Sequence, residues 1–303
     1  MVRPKHMTHS SFPHKFLAKL QEYSMPEENN HLPKISIVMP AYNQVQFIER
    51  SILSVLNQDY PNIELIIIDG GSNDGTVEII QKYCEHIAFW VSEKDRGQSD
   101  ALNKGFGHCT GEIYGWLNSD DLYLPDAFKH TVAALEAHPN KKIVFGDWLS
   151  IDTYERVIDY NHAFDFNLNH FKYEGFHLNA QSLFWYAEVH KKFSGFDTAL
   201  YNTMDYQMIL EFGITQGQRS FLRIPYALGA FRRYEGQKTG AMTLGVIKEH
   251  RSMAERYGYL DKYRAIGWLK KLYFRVRRSW WYYKRGGLSN LISRLRSAYV
   301  SRS

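Results

Sequence analysis

Hydrophobic and polar positions fall into repeating blocks from Ile35 onward. Ile35 to Met39 is a short β-branched-rich run closed by Pro40, and Phe47, Ile48, Ser51, Ile52, Val55 and Leu56 then recur at helical spacing. The unit repeats. Ile63 to Ile68 is a continuous apolar run followed by Val77, Ile79, Ile80 and Tyr83, and Ile87 to Val91 precedes a helix expected from about Ser99 to Phe106. Ile113 to Leu117 and Ile143 to Phe145 read as further strands. Strands apolar on both faces, alternating with helices, predict an α/β fold with a mainly parallel sheet flanked by helices. Such sheets bind ligands beyond the carboxyl ends of their strands. Tyr42-Asn43, Asp69 to Asp74, Asp95-Arg96 and Asn118 to Asp121 each follow a strand, so four distant segments are expected to converge on one crevice.

The flanks differ from this body. Residues 1–33 are polar, contain His and Pro and lack a sustained period, which predicts a tail or strap. From Arg264 to the end there are 11 Lys or Arg and no Asp or Glu, so the net +5 divides into +11 for the last 40 residues and −6 for the rest. Leu269, Leu272, Val276, Trp280 and Tyr283, then Leu288, Leu291, Ile292, Leu295 and Tyr299, recur at three- and four-residue spacing among the basic residues. Two readings fit: helices lying in an anionic membrane interface, or helices packed on the body or on a second copy in a homo-oligomer. No recognition motif accompanies the charge, so nucleic acid is not an expected partner.

Composition narrows the class. At 303 residues, 44% hydrophobic and 15% aromatic, the chain has enough apolar surface for a large core, which excludes disorder. Two cysteines, Cys84 and Cys109, exclude a disulfide framework and a four-cysteine zinc site and suit a reducing compartment, the cytoplasm. His162, His170 and His177 have no zinc spacing. No signal-type apolar run and no stretch of about 18 apolar residues occurs, so no helical membrane span is expected. The crevice lacks a dinucleotide Gly-x-Gly-x-x-Gly, a nucleoside-triphosphate loop and a Gly-x-Ser-x-Gly elbow. It is carboxylate-rich instead: Asp120 and Asp121 are adjacent at a strand end, either balanced by a hard divalent cation or shaped into an Asx-type turn that faces water.

The series ISIVMPAYN (35–43), IDGGSNDGT (68–76), EKDRGQSDALNKG (93–105) and LNSDD (117–121) resembles the family 2 glycosyltransferases of the GT-A fold in order and spacing. The resemblance covers about Lys34 to Thr239. It implies a GT-A domain over 34–240, and the spacing and charge of the remainder predict a helical, basic and aromatic region over 241–303. It implies an inverting, Mn²⁺- or Mg²⁺-dependent hexosyl- or N-acetylhexosaminyl-transferase using a nucleoside-diphosphate sugar, with uridine diphosphate favoured. The acceptor would be a glycan or lipid-linked hydroxyl, in cell-surface polysaccharide assembly at the inner face of the membrane. Pro40, Ala41, Tyr42, Asn43, Asp69, Arg96, Asp100, Asn118, Asp120 and Gln181 would meet the nucleotide-sugar. Within that set Tyr42 would stack on the base, Asp69 accept from its imide, Arg96 reach base or phosphate, and Asp120 bind ribose. Asp121, with Asp120, would hold the metal.

Bland roles stand beside these. Asp74 is placed to cap a helix, Asp100 and Asn103 to cap or to touch substrate, and Tyr42 to pack. Asp205, in GFDTALYNTMDYQMILE (195–211), resembles the acidic residue that opens a helix and acts as general base, and it also suits a helix N-terminus. Two departures are visible. Met204 stands where the family often has Glu, leaving Asp197 as a reserve base, and Tyr234 stands where many members have His. The rival is a non-catalytic nucleotide-sugar-binding scaffold. A sugar-phosphate nucleotidyltransferase is disfavoured, because PAYN (40–43) is not its Gly-rich basic loop.

Overall fold

The strands Ile35–Ala41 (β1), Ile63–Asp69 (β2), Phe89–Ser92 (β3) and Ile113–Trp116 (β4) lie parallel in the order β3-β2-β1-β4. They belong to a computed structural model that describes residues 32–175, 178–238 and 244–300, with side chains to residue 284. The predicted strap up to residue 31, His177, Thr239 and the apolar positions from Leu288 to Tyr299 lie outside the described residues or side chains. β1 is buried along its whole length, with Ile35, Ile37 and Met39 in one core cluster and Val38 in the other, as expected of a central strand covered on both faces.

Helices Ile48–Leu56 (α1), Thr76–Lys82 (α2) and Gln98–Gly107 (α3) connect these strands. α3 lies close on the sheet: a Cβ at Gly105 would come within 2.4 Å of a Val38 methyl carbon, so glycine is what lets the helix approach. Glu64 of β2, buried beneath, accepts from Thr110 and Gly111 amides and from the Ser36 hydroxyl, tying the loop before β4 to the sheet. Matched registers, Ala41 beside Asp69 and Asp69 beside Ser92, end the strands level, which places the following loops together.

The first four strands are parallel as expected, and the second half of the sheet adds antiparallel pairs. Leu122–Tyr123 (β5), Ile143–Ile151 (β6), Val157–Asn161 (β7), Leu183–Tyr186 (β8) and Phe221–Arg232 (β9) complete a nine-stranded sheet among the described residues, in the order β3-β2-β1-β4-β8-β6-β9-β5 with β7 on β6. β8 runs antiparallel between β4 and β6, and β6 pairs parallel with β9. A four-residue apolar run such as β8 has too little period to reveal its direction. β9 carries Pro225, and its register with β6 slips between Phe145 and Trp148, the irregularity a strand proline demands.

Ala127–Ala137 (α4), Leu168–Glu174 (α5), Ala187–His190 (α6) and Met204–Thr215 (α7) cover the sheet, followed by Leu244–Arg256 (α8) and the long Ala265–Val300 (α9). α9 packs on the body through Phe274, stacked 5.2 Å from His170, and Trp281, edge-on to Phe164 at 5.2 Å. Arg275 and Arg278 reach the buried Glu174 at 3.2 and 2.5 Å. The other side of α9 carries Ile266, Leu269, Tyr273, Val276, Trp280 and Tyr283, all 45–61% exposed. The helical extension is therefore present. The apolar stripe read from the sequence faces away from the body. Among the described residues no helix is long and apolar enough to cross a membrane.

Candidate active site

Beyond the carboxyl ends of β1, β2 and β4 lies a cleft of ≈ 510 Å³. Pro40, Ala41 and Tyr42 form one wall, Lys94, Asp95 and Gln98 another, and Asn118 and Asp120 the floor, with Tyr234 and Lys238 closing the far side. The convergence of strand-end segments expected from the sequence is thus realised. Tyr42 is 62% exposed and lines the cleft rather than packing into the core.

The two adjacent carboxylates point in opposite directions. Asp121 has no exposed surface; its Oδ1 accepts the Arg232 backbone N–H at 2.9 Å and its Oδ2 accepts from Asn118 at 3.3 Å. Asp120 is half-buried and lines the cleft, with Oδ2 accepting the Tyr234 hydroxyl at 2.9 Å. Burial, then repulsion from Asp120, pushes the Asp121 carboxyl well above the ordinary range. Burial also raises Asp120, against the Tyr234 hydrogen bond and the Arg232 charge.

Sequence reasoning missed the residue that sets this arrangement, Arg232. Its side chain is almost completely enclosed: Nε donates to the Asp120 carbonyl at 2.8 Å, Nη2 faces Glu155 at 3.3 Å, and the guanidinium lies 4.7 Å from the Phe47 ring centroid. Its one sequence signal is its place two residues before Tyr234, in FRRYEGQKT (231–239), a segment that resembles the family's stretch closing over the diphosphate.

Several other expected contacts serve the loops themselves. Asp69 is fully buried and accepts from the amides of Gly71 and Ser72 and the hydroxyls of Ser72 and Ser92. Asn43, at a positive φ of 50°, clips the first loop to the second by accepting from the Asn73 amide, while its own amide donates to Ser72. Asp74 accepts from Thr76 and Val45 and so ties the first loop to the start of α2, whose N-cap is Gly75. Arg96 is bound to Asp100 at 2.8 Å and projects into solvent; neither lines the cleft. Asn103 pairs with both backbone groups of Phe196. Gln181 is buried with neither amide atom hydrogen-bonded, and it too lies outside the cleft lining.

Asp205 stands in the first turn of α7 and lines a second cleft of ≈ 510 Å³, which shares Lys238 with the first. Burial lifts its pKa to about 6, opposed by the Tyr206 N–H and by Lys238. The preceding loop is held from α8 by Glu249, which accepts the amides of Tyr201 and Asn202 and the Thr203 hydroxyl at 3.1, 3.0 and 2.8 Å. Asp197, the reserve base, turns to the Ala199 amide and Arg256 and lines neither cleft. Lys238 donates to Gln98, which donates to Asn118, which donates to Asp121, so a polar chain links the edge of the second cleft to the carboxylate pair.

The available donors suit a hard divalent cation. They are all oxygen, and among the described residues no group of three or more His, Cys, Asp or Glu side chains gathers. Mg²⁺ and Mn²⁺ sites that complete their shell with phosphate oxygens and water need only one or two protein carboxylates. Asp120 faces the cleft to supply one.

Residues 36–193, just over half of the chain, match the model of glycosyl transferase family 2. An uncharacterized glycosyltransferase of Rickettsia typhi is 36% identical over 118 residues, 39% of this chain and 37% of its own length. The putative glycosyltransferase EpsE of Bacillus subtilis is 33% identical over 129 residues, 41% of this chain and 46% of its own. The matches thus span less than half the length of these curated relatives. A mannosyltransferase of Pyrobaculum calidifontis, solved with GDP-Man and Mn²⁺, superposes with a TM-score of 0.58 at 17% identity over 95% of this chain and 86% of its own. S. aureus TarS 1-349 with UDP-GlcNAc gives 0.53 at 16% identity over 70% and 62%.

Replacing Arg232 by Met keeps most of the volume but strands the carbonyls of Asp120, Asp152 and Thr153 that it serves, while Glu155 keeps its pair with Arg50. Urea unfolding should show a loss of about 3 kcal/mol. A change below about 1 kcal/mol would show that the enclosed guanidinium does not hold the cleft floor.

Proposed function

The chain belongs to glycosyltransferase family 2, and we propose that it moves a sugar, with inversion, from a nucleoside-diphosphate sugar to a hydroxyl of a glycan or lipid-linked acceptor. The observation that carries this reading is the pairing of two clefts: a strand-end cleft floored by Asp120 and an adjoining one that holds Asp205. Relatives in fold that bind UDP-GlcNAc and GDP-Man support a nucleotide-sugar in the first.

In this reading the exposed Tyr42 ring stacks on the base, and Asp120 with Tyr234 meets the diphosphate end. A divalent cation, when bound, offsets charge on the departing nucleoside diphosphate. Asp120 is the carboxylate that would hold it, and the inward Asp121 positions the turn. Lys238, between the clefts, neutralises charge near the site of transfer. The acceptor hydroxyl lies against Asp205. Its oxygen forms a bond to the anomeric carbon as the bond to diphosphate breaks, and its proton passes to the Asp205 carboxylate. A carboxyl with its pKa lifted to about 6 is a better base than an ordinary one and is still ionised at neutral pH.

Two outcomes follow for Asp205. Asp205→Asn should lower kcat about 10²–10⁴-fold while leaving nucleoside-diphosphate affinity within about twofold. In the parent enzyme, kcat/KM should rise with pH and level off above about 6, because the base works only when deprotonated. Near-full turnover in the variant, or a flat profile through that range, would remove Asp205 from this role.

The exposed stripe on α9 and its basic neighbours support docking on an anionic membrane surface. The full chain should sediment with phosphatidylglycerol vesicles, and a Leu269→Ser, Val276→Ser, Trp280→Ser variant should stay in solution. Equal sedimentation of the two proteins, or none of the parent, contradicts this.

A further inference from the structure

The second cleft contains positive charge that the transfer reaction does not require. Lys262 and Lys271 both line it, as does Glu174. Lys262 sits instead among tyrosine rings, its ammonium 6.0 Å from the centroids of Tyr206 and Tyr259 and 5.9 Å from that of Tyr263. Burial, then repulsion by Lys271, lowers its pKa to about 8, and Glu174 counters only in part. Glu174 is already held by Arg275 and Arg278. His250, on the same wall, has a buried ring nitrogen with no hydrogen-bond partner.

Because Glu174 is taken up by Arg275 and Arg278, the repulsion between Lys262 and Lys271 is offset only in part, and a ligand anion would relieve it. Tyr173, Tyr206 and Tyr263 add aromatic surface beside them, and Asp205 opens onto the same space. We propose that this cleft binds an acceptor bearing a phosphate ester, its phosphate on Lys262 and Lys271 and its sugar hydroxyl directed to Asp205. The inference rests on the reading of Asp205 as base for the meaning of "acceptor", but the anion site stands on its own residues. Lys271 belongs to the first turns of α9, so the phosphate lies at the root of the helix with the exposed apolar stripe. A phosphate-linked lipid and a small phosphorylated sugar share the recognised group.

The full chain, with UDP and GDP present at saturation in Mg²⁺ to occupy the first cleft, is titrated calorimetrically with phenyl phosphate and with uncharged phenyl glucoside. Phenyl phosphate should bind and the glucoside should not. A Lys262→Gln, Lys271→Gln variant should bind the phosphate at least tenfold more weakly, and the Lys262→Arg, Lys271→Arg variant should restore it. Nucleoside-diphosphate affinity should be the same in all three proteins. Phenyl phosphate affinity unchanged by the Gln substitutions would overturn the proposal. So would Gln substitutions that abolish sedimentation with phosphatidylglycerol vesicles but spare phenyl phosphate binding, which would assign the lysines to bilayer headgroups. Absence of nucleotide binding in the parent would instead overturn the glycosyl-transfer reading, separately from the anion site.

Discussion

An enclosed guanidinium beneath a pair of carboxylates is the constraint on which the first cleft depends. Removing Arg232 from water carries a desolvation cost of several kcal/mol, and the cost is met only because every face of the group is used. Its fork reaches the Asp120 carbonyl, Glu155 and the carbonyls of Asp152 and Thr153, while the Phe47 ring lies against its plane. Its own amide takes the Asp121 carboxylate. The end of β9, the turn after β4, the β6–β7 hairpin and the start of α1 are thereby fixed to one side chain. With Asp121 drawn inward, Asp120 is the carboxylate left facing the cleft.

The second cleft is built differently, from the side. Glu249 of α8 holds the backbone of Tyr201 and Asn202, and so sets where α7 begins and where Asp205 stands. Tyr201 and Lys238 touch across the boundary, with the ammonium 4.1 Å from the ring centroid. A segment that follows the sheet's last strand thus forms the wall between the two clefts. The mixed half of the sheet, with β9 carrying the chain back beside the β4 turn, makes that position reachable.

Much of this was legible in the sequence, for a physical reason. The βα repeats have strong periods, and parallel strands of matched register necessarily bring their following loops together, so the crevice and its composition could be read from one end of the chain. What escaped reading was set by partners far away in sequence. Adjacent Asp120 and Asp121 are chemically alike, and only Arg232, more than a hundred residues on, decides which faces in. Asp69 has the character of a ligand-binding carboxylate, and Ser72 and Ser92 also hold it to the loops. The period of α9 was plain, whereas its outward direction follows from Phe274 and Trp281 taking the inner face. The direction of β8 left no trace in a run of four apolar residues.

The central claim is that the strand-end cleft takes a nucleoside diphosphate together with a divalent cation on Asp120. It is tested most directly by calorimetric titration of the full chain with UDP and GDP, in Mn²⁺ and in EDTA, alongside the Asp120→Ala variant. The account predicts binding of one nucleotide in Mn²⁺ that weakens at least tenfold in EDTA and equally in the variant. Absence of binding to either nucleotide, or binding indifferent to metal and to Asp120, would contradict it.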